Sequence, residues 1–563
     1  MHLNKSANEW NDRIATNLIK LQVKDGRMAD RGGILSPEKG FAEPAMSARA
    51  ADVFLAAYYS PQSAYHQKDD MLEAAKCCAE HLLSSLHEDG TLDLLETNYH
   101  DATCNAFCVQ VIAYTYRMMK QYSRHSETEE HVLSMLLDFL ERSADAMVKG
   151  GFHTPNHRWV LASALVLCYR DLGLEECRQA AFEYLDEGID CDEEGEYTEH
   201  SVGIYDVACN QSLLIILREM DMPELIEPVL RNLNKLSYYI EPDGSVVTLN
   251  SRRQDFGKKM YPDPQLLNCL YVLAAAHDAK DERFMQVAGL AEFLYRSYAE
   301  HAHALILPHD AGHFVTHFLL HPNLAELNHP AHPVRSEYRK NFERAGVARV
   351  RKGDMALTLL RGRPIFLKLQ AGGIELMLRA GACFYACGQL ISPTVEEIEN
   401  GYRLRCQSEG DYVRPLGKQA GTTDWASIPH EKRRHVNGLI LEWVMDVLVF
   451  EYKVELLLRI GGCENLPWKL EGILTPGGML KADGCHIPAG EGSYAIIANG
   501  FEYAYAGGIL RWEGGLNQHA YAPNMRNTPA KEQKAFTVYN TGFAPFSHAV
   551  TLSWPQAEGK PWA

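Results

Sequence analysis

Residues 1–300 predict an α/α toroid and residues 341–563 an antiparallel β-sandwich, joined by a His-rich junction at 301–340. Three features lead there. Apolar residues up to about position 300 recur at helical spacing, alternating between stretches that are apolar all round and stretches with one polar face. The apolar stretches repeat at a nearly fixed interval, and beyond residue 340 the period shortens to that of strands.

In chain order, the all-apolar helices are AMSARAADVFLAAYY (45–59), TCNAFCVQVIAYTYRMMK (103–120), RWVLASALVLCYRDLG (158–173), VACNQSLLIILREM (207–220) and QLLNCLYVLAAAHDA (265–279). Amphipathic segments such as 131–148 and 223–236 lie between them. A polar or aromatic cluster leads into each apolar helix, at Pro44, Tyr99, Pro155, Tyr205 and Tyr261, with spacings of 55, 56, 50 and 56 residues. That interval holds two average helices and their loops. Inner helices shielded by an outer ring follow, with every lead-in loop at the same end, so the loops converge on one cleft. An open superhelical solenoid is the competing architecture. From MALTLLRG (355–362) onward, short β-rich segments broken by Gly, Pro and Asn read as antiparallel strands.

The 563 residues exceed a single ordinary core. The chain carries 55 Lys+Arg against 73 Asp+Glu, a net charge of −18. That balance argues against a nucleic-acid or anionic-membrane binder, both of which need a basic face. Any anionic ligand must meet a local basic site. The first residues, MHLNKSANEWNDRIATNLIKLQ, lack the pattern of a secretory signal, and no apolar run reaches membrane-spanning length. A soluble, cytoplasmic chain is therefore expected, with its fourteen scattered cysteines reduced and mostly buried.

The chemistry concentrates in the third and fourth lead-in loops. TPNHRW sets Asn156, His157 and Arg158 at a helix start, where Pro155 suits the first turn and free N–H groups favour an anion. GEYTEHSVGIYD sets Tyr197, Glu199, His200, Tyr205 and Asp206 at the next. An amide, an imidazole and a phenol in one cleft suit proton abstraction beside a carboxylate. Helix capping and packing are the plainer reading of the same groups. Arg252 and Arg253 suit bidentate binding of a substrate carboxylate. Asn98, Tyr99 and His100 are candidate sugar contacts, with the Tyr99 ring offering a face to a pyranose.

With Asn156-His157 followed by Gly195, Glu199, Ser201 and Tyr205, the chain resembles the heparinase II/III-like polysaccharide lyases, which include oligoalginate and heparin lyases. That family joins an α/α toroid to an antiparallel β-sandwich in the same order. The resemblance implies β-elimination at a uronic acid, with Asn156 and His157 neutralising the carboxylate and Tyr205 as base, acid or both. It implies no required cofactor, and an acidic polysaccharide or oligosaccharide as substrate. A homo-oligomer is compatible with it. It also implies a further His from a sandwich strand, yet 352–381 contains none and offers Lys368, Gln370 and Glu375 instead. Either Tyr205 then serves both roles or an imidazole from the junction or His435 reaches in.

The junction holds 8 of the chain's 24 histidines: His301, His303, His309, His313, His317, His321, His329 and His332. His309, His313 and His317 would share a helical face and are the candidates for a structural divalent metal; a hydrogen-bonded role in the junction is the alternative. Asp190, Asp192, Glu194 and Gly195 imitate the start of a calcium loop, but Ser201 stands where the closing Glu belongs. Two other functions compete with the lyase. One is a glycoside hydrolase acting on uronyl oligosaccharides, using Asp101, Glu199, Asp206 or Asp263. The other is a non-catalytic glycan-binding relative.

Overall fold

A computed structural model of the chain describes residues 3–25, 27–261, 313–322 and 334–555. The fifth expected inner helix (265–279), Asp263, His301, His303, His309, His329 and His332 lie outside them. The chain forms two units, Met1–Ile240 with Gly244–Val334, and Glu241–Asp243 with Arg335–Ala563.

The first unit is an α/α toroid. Helix α1 (Leu3–Leu21) precedes the pairs α2 (Pro44–Tyr59) and α3 (Asp69–Ser84), α4 (Ala102–Tyr122) and α5 (Glu127–Val148), α6 (Pro155–Leu172) and α7 (Glu175–Asp186), and α8 (Tyr205–Met220) and α9 (Ile226–Tyr239). Helices α2, α4, α6 and α8 pack side by side as the inner layer, while α3, α5 and α7 pack on one another outside. The inner helices are apolar all round because they are covered all round: in α6, every residue from Trp159 to Cys168 is buried.

Caps set where each inner helix begins. Pro44 and Pro155 occupy first-turn positions whose N–H has no partner to lose. Asp101 accepts from the Thr103 and Cys104 amides at the start of α4. Two buried polar layers then fix the register. Gln110 donates to Ser163 Oγ (2.7 Å) and Ser212 Oγ (2.9 Å), joining α4, α6 and α8 at almost equal distances from their first residues. About two turns further on, Arg117 pairs with Asp171 and Glu219, each at 2.7 Å. Three helices cross-linked twice at matching depth must run parallel and in step. Their lead-in loops therefore sit at one level.

A short helix α10 (Phe314–Leu320) packs against α1, α2 and α4. At its start His313 Nδ1 lies 2.8 Å from Asp52, which also accepts from Thr115 and Thr316. His317 is buried edge-on to Tyr114, with ring centroids 4.8 Å apart. His321 Nε2 accepts from Arg218 at 2.7 Å. Among the described residues no group of three or more His, Cys, Asp or Glu is arranged to hold a metal ion, and no helix is long and apolar enough to cross a membrane.

The second unit is a β-sandwich of two sheets. One carries β1 (Glu337–Phe342), β2 (Val347–Lys352), β3 (Met355–Leu360), β4 (Leu367–Ala371), β5 (Ile374–Ala382), β10 (Pro467–Leu474), β16 (Phe536–Phe543) and β13 (Tyr494–Ile496), in that spatial order. The other runs β12 (Cys485–Pro488), β11 (Met479–Ala482), β14 (Gly500–Tyr505), β15 (Gly508–Glu513), β17 (Phe546–Ser553), β9 (Lys453–Gly461), β8 (His435–Val449), β7 (Gly401–Val413) and β6 (Glu396–Ile398). The pairing is antiparallel as expected, except that β13 lies parallel to β16. The chain between those two crosses to the other sheet and back, a connection long enough to allow a parallel pair. Alternating residues such as Leu357, Leu369 and Leu376 meet Trp443, Leu456 and Trp512 in a shared core.

On the opposite side of the first sheet, Arg349 donates to Glu241 at 3.0 Å, and Lys368 pairs with Glu241 (3.4 Å) and Glu375 (2.9 Å). Gln370 donates to Glu375. The three polar groups found where a strand His was sought are thus engaged in one network. Glu241→Ala would leave buried Arg349 and Lys368 without their shared anion. A loss of about 3–5 kcal/mol is expected from urea unfolding; a loss below about 1 kcal/mol would show the network contributes little.

Candidate active site

The lead-in loops of α4, α6 and α8 are joined sideways, together with the segment 244–261. Glu199 is the joint. Its carboxylate, 4% exposed, accepts from Asn156 Nδ2 at 2.7 Å and stands 3.2 Å from Arg253 Nε, while its backbone carbonyl accepts from the Arg252 N–H at 3.0 Å. Burial raises the Glu199 pKa, against the opposing pull of Asn156 and Arg253.

Tyr205 opens α8 and its hydroxyl donates to Gln254 Oε1 at 3.0 Å. The Arg253 guanidinium lies over its ring, 4.9 Å from the centroid. Asn156 is fully buried: both of its N–H groups are committed, to Thr154 and Glu199, and Oδ1 has no partner. His157 is also buried, edge-on to His153 (4.6 Å), with Nδ1 unpartnered. Burial, with help from His153, lowers its pKa to about 4, so it is neutral at neutral pH.

The other sequence candidates divide. Arg252 stays exposed beside this group, donating to the Thr198 carbonyl. His200 is buried in the α8 loop at φ +53°. Asn98 donates to Asp101 (2.8 Å) and lies 3.4 Å from His153, and Tyr99 is 77% exposed next to it. His100 instead stacks on His87 and binds Asp89. Arg158 turns to Glu187 (3.0 Å) and Asp190 (3.4 Å), leaving no free charge for a ligand. Asp190 also accepts from the Trp159 indole and Asp192 from two backbone amides, so the calcium-like stretch is spent on holding its own loop. His435 is an exposed partner of Asp411 in the second unit.

A second tier holds the α8 loop from below. Lys235 is fully buried and bonds Glu196 (2.6 Å) and Asp206 (3.0 Å); Asn232 ties Asp206 to the Gly195 carbonyl. Burial opposes the Lys235 charge, but the two carboxylates outweigh it and hold the ammonium above its ordinary range. Gly195 needs its missing side chain: at φ +86°, a Cβ would stand 2.3 Å from the Arg231 carbonyl oxygen. Asp255 bonds Ser251 Oγ (2.5 Å) and the Gly203 amide (3.3 Å), fastening the arginine segment to the same loop.

Sequence reasoning did not single out Gln254, His153 or Lys235. Gln254 was signalled only by its place directly after the arginine pair. Lys235 sits in an amphipathic helix, where a lysine ordinarily reads as solvent-facing.

An inner ring of helices leading into loop-borne polar groups, with a β-sandwich following, is a toroid-and-sandwich architecture. Two solved structures share it. Xanthan lyase from Paenibacillus superposes with a TM-score of 0.55 at 8% identity, covering 99% of this chain and 57% of that one. A mutant of chondroitin AC lyase from Streptomyces coelicolor A3 gives 0.50 at 12% identity, covering 98% of this chain and 80% of that one. This chain thus spans little more than half the length of the xanthan lyase. The sequence matches no protein-family model and no curated protein.

Two tests follow from the site's buried charges. Lys235→Met leaves Glu196 and Asp206 facing each other without a cation, and should cost about 3–5 kcal/mol in urea unfolding. Adding Glu196→Gln should recover part of that loss; strict additivity would break the network reading. For His157 the sign is set by its lowered pKa. The unfolded chain binds this proton below about pH 6.5, the folded chain only below about 4. Its contribution is therefore complete above about pH 6.5 and falls as pH drops toward 4, by about 3 kcal/mol at most. Unfolding measured at pH 7 and pH 4.5 should show a smaller acid loss in His157→Gln than in wild type.

Proposed function

We propose that the chain is a polysaccharide or oligosaccharide lyase that cleaves a uronate-containing glycan by β-elimination, in the manner of the heparinase II/III-like enzymes it resembles. The observation that carries this reading is the linked set Asn156, Glu199, Arg253 and Tyr205 at one end of the inner helices. The N-termini of α4, α6 and α8 at that end favour an anion.

In the proposed reaction the Tyr205 phenolate removes the C5 proton of the uronate. The electron pair forms the C4–C5 double bond as the C4–O bond breaks, and the departing O4 takes the proton back from Tyr205. One residue can do both because a syn elimination puts base and leaving group on the same face. Arg253 lies over the ring, and Gln254 turns its amide N–H toward the oxygen once the phenol has given up its proton. Arg252 and His157 meet the substrate carboxylate, His157 as a neutral donor. Asn156 can donate only by turning its amide, and protonated Glu199 permits that turn by donating to Oδ1 in exchange. Burial, which raises the Glu199 pKa, shifts the balance toward that form. We read the enzyme as needing no metal and as acting in the cytoplasm on short imported substrates.

The hydrolase alternative needs an uncommitted acid in the cleft. Asp101 is the cap of α4 and Asp206 the buried partner of Lys235, which removes two of its four candidates. The decisive experiment is product analysis on a panel of uronate oligosaccharides. Wild type should release an end with a UV-absorbing C4–C5 double bond, and Tyr205→Phe should lower turnover by about 10²–10⁴-fold while substrate binding persists. A new reducing end without the chromophore would establish hydrolysis, and near-normal turnover in Tyr205→Phe would remove Tyr205 from the mechanism.

A further inference from the structure

Strands β7 and β8 are the longest in the sandwich, and their outer ends carry a 21-residue connection, 414–434. From Asp411 to His435 the segment holds five Lys or Arg against three Asp or Glu, in a chain whose net charge is −18. Arg414, Lys418, Lys432 and Arg434 are all exposed, and among the described residues none of the four is paired with a carboxylate. Elsewhere Arg117, Arg158, Arg253, Arg349 and Arg403 each hold an acid. Of the segment's own acids, Asp411 is taken by His435 and Asp424 by Ser427.

Trp425 stands in this loop at 70% exposure, and it is held rather than loose. Its carbonyl accepts from His430 Nε2 (2.8 Å), whose Nδ1 accepts from Arg433 Nε (3.1 Å). The His430 ring packs 4.5 Å from the indole and the Arg433 guanidinium lies 5.5 Å from it. Arg433 also donates to the Arg414 carbonyl, and the Arg414 amide to the Arg434 carbonyl, closing the loop onto the strand ends. Below the loop, Tyr385 lies across Gly410 and packs on Tyr412, itself 62% exposed. Gly410 is required there, since a Cβ would meet the Tyr385 ring at 2.2 Å.

We propose that this loop is a docking surface for an acidic glycan chain, separate from the residues assigned to catalysis. An indole 70% exposed and braced by His430 and Arg433 offers a flat apolar surface on which the C–H face of a pyranose stacks, and the four exposed cations of the same segment answer carboxylates or sulfates spaced along the chain. The pairing of stacking surface and free charge selects a polymer that is both, which an acidic glycan is. Its substrate class rests on the lyase reading; the surface itself does not.

The test is native electrophoresis of the full chain through gels cast with polygalacturonate, alginate, chondroitin sulphate or neutral dextran. At least one acidic polysaccharide should retard wild type, dextran should not, and added salt should weaken the effect. Trp425→Ala, and Arg414→Glu with Lys418→Glu, should each bind about tenfold more weakly. Their urea midpoints and their cleavage of a short oligosaccharide should match wild type. Retardation of Trp425→Ala equal to wild type overturns the proposal, as does the absence of any retardation of wild type. Equal retardation by duplex DNA would make the loop a general polyanion binder, and a wild-type dimer that Trp425→Ala turns to monomer would make it a self-association surface; either outcome overturns it. The two readings fail separately. Retardation without a C4–C5 unsaturated product keeps the docking surface and removes the lyase, while product without retardation does the reverse.

Discussion

The site is organised around one buried carboxylate. Glu199 sits almost out of reach of water, where an isolated charge is prohibitively costly, so its position is tolerable only because Asn156 and Arg253 converge on its carboxylate. That requirement works in both directions. The acid needs the partners, and the partners are thereby held in place: Asn156 by an N–H bond, Arg253 by an ion pair that also leaves its guanidinium over Tyr205.

A shared anchor of this kind is useful only if the loops it joins start from a common level. The Gln110 and Arg117 layers provide that level by locking α4, α6 and α8 in step, and the Lys235 cluster props the α8 loop from beneath. Each tier is a small polar group buried among apolar helices, where a wrong register would strand donors and acceptors. Specificity of register is what such groups contribute best, even where their net stabilisation is modest. The chain from helix register to loop level to Tyr205 is therefore continuous.

Much of this was legible in the sequence. The lead-in positions Pro44, Pro155 and Tyr205 are the first residues of α2, α6 and α8, and α4 begins three residues after Tyr99, because apolar-all-round periodicity and N-terminal prolines are local signals. The alternation of inner and outer helices followed from the same pattern, as did the switch to strands, which begins at Glu337. What could not be read were pairings between distant segments. Arg158 looked like a ligand-binding cation because its partners Glu187 and Asp190 lie 29 and 32 positions away, and nothing local announces them. Lys235 failed in the opposite way, since helical periodicity cannot tell a solvated lysine from one that meets two carboxylates inside. The strand histidine sought in 352–381 is replaced by Lys368, Gln370 and Glu375, which the fold consumes in a network around Glu241.

Those pairings change what the charge of the candidate site means. Counting residues along the chain gives three arginines and a histidine near the cleft, enough to expect a strongly basic pocket. Arg158 is neutralised by two acids, Arg253 by Glu199, and His157 is held neutral by burial, which leaves Arg252 as the one cation of the four without a carboxylate partner among the described residues. Such a site has little long-range pull, and on an acidic protein it would not draw a polyanion from solution. Attraction at a distance and chemistry at short range are then separate requirements. In the docking proposal, the exposed cations of the 414–434 loop meet the first. The lead-in loops of the candidate site hold their few charges in compensated pairs, and a single incoming carboxylate would disturb the balance around Glu199.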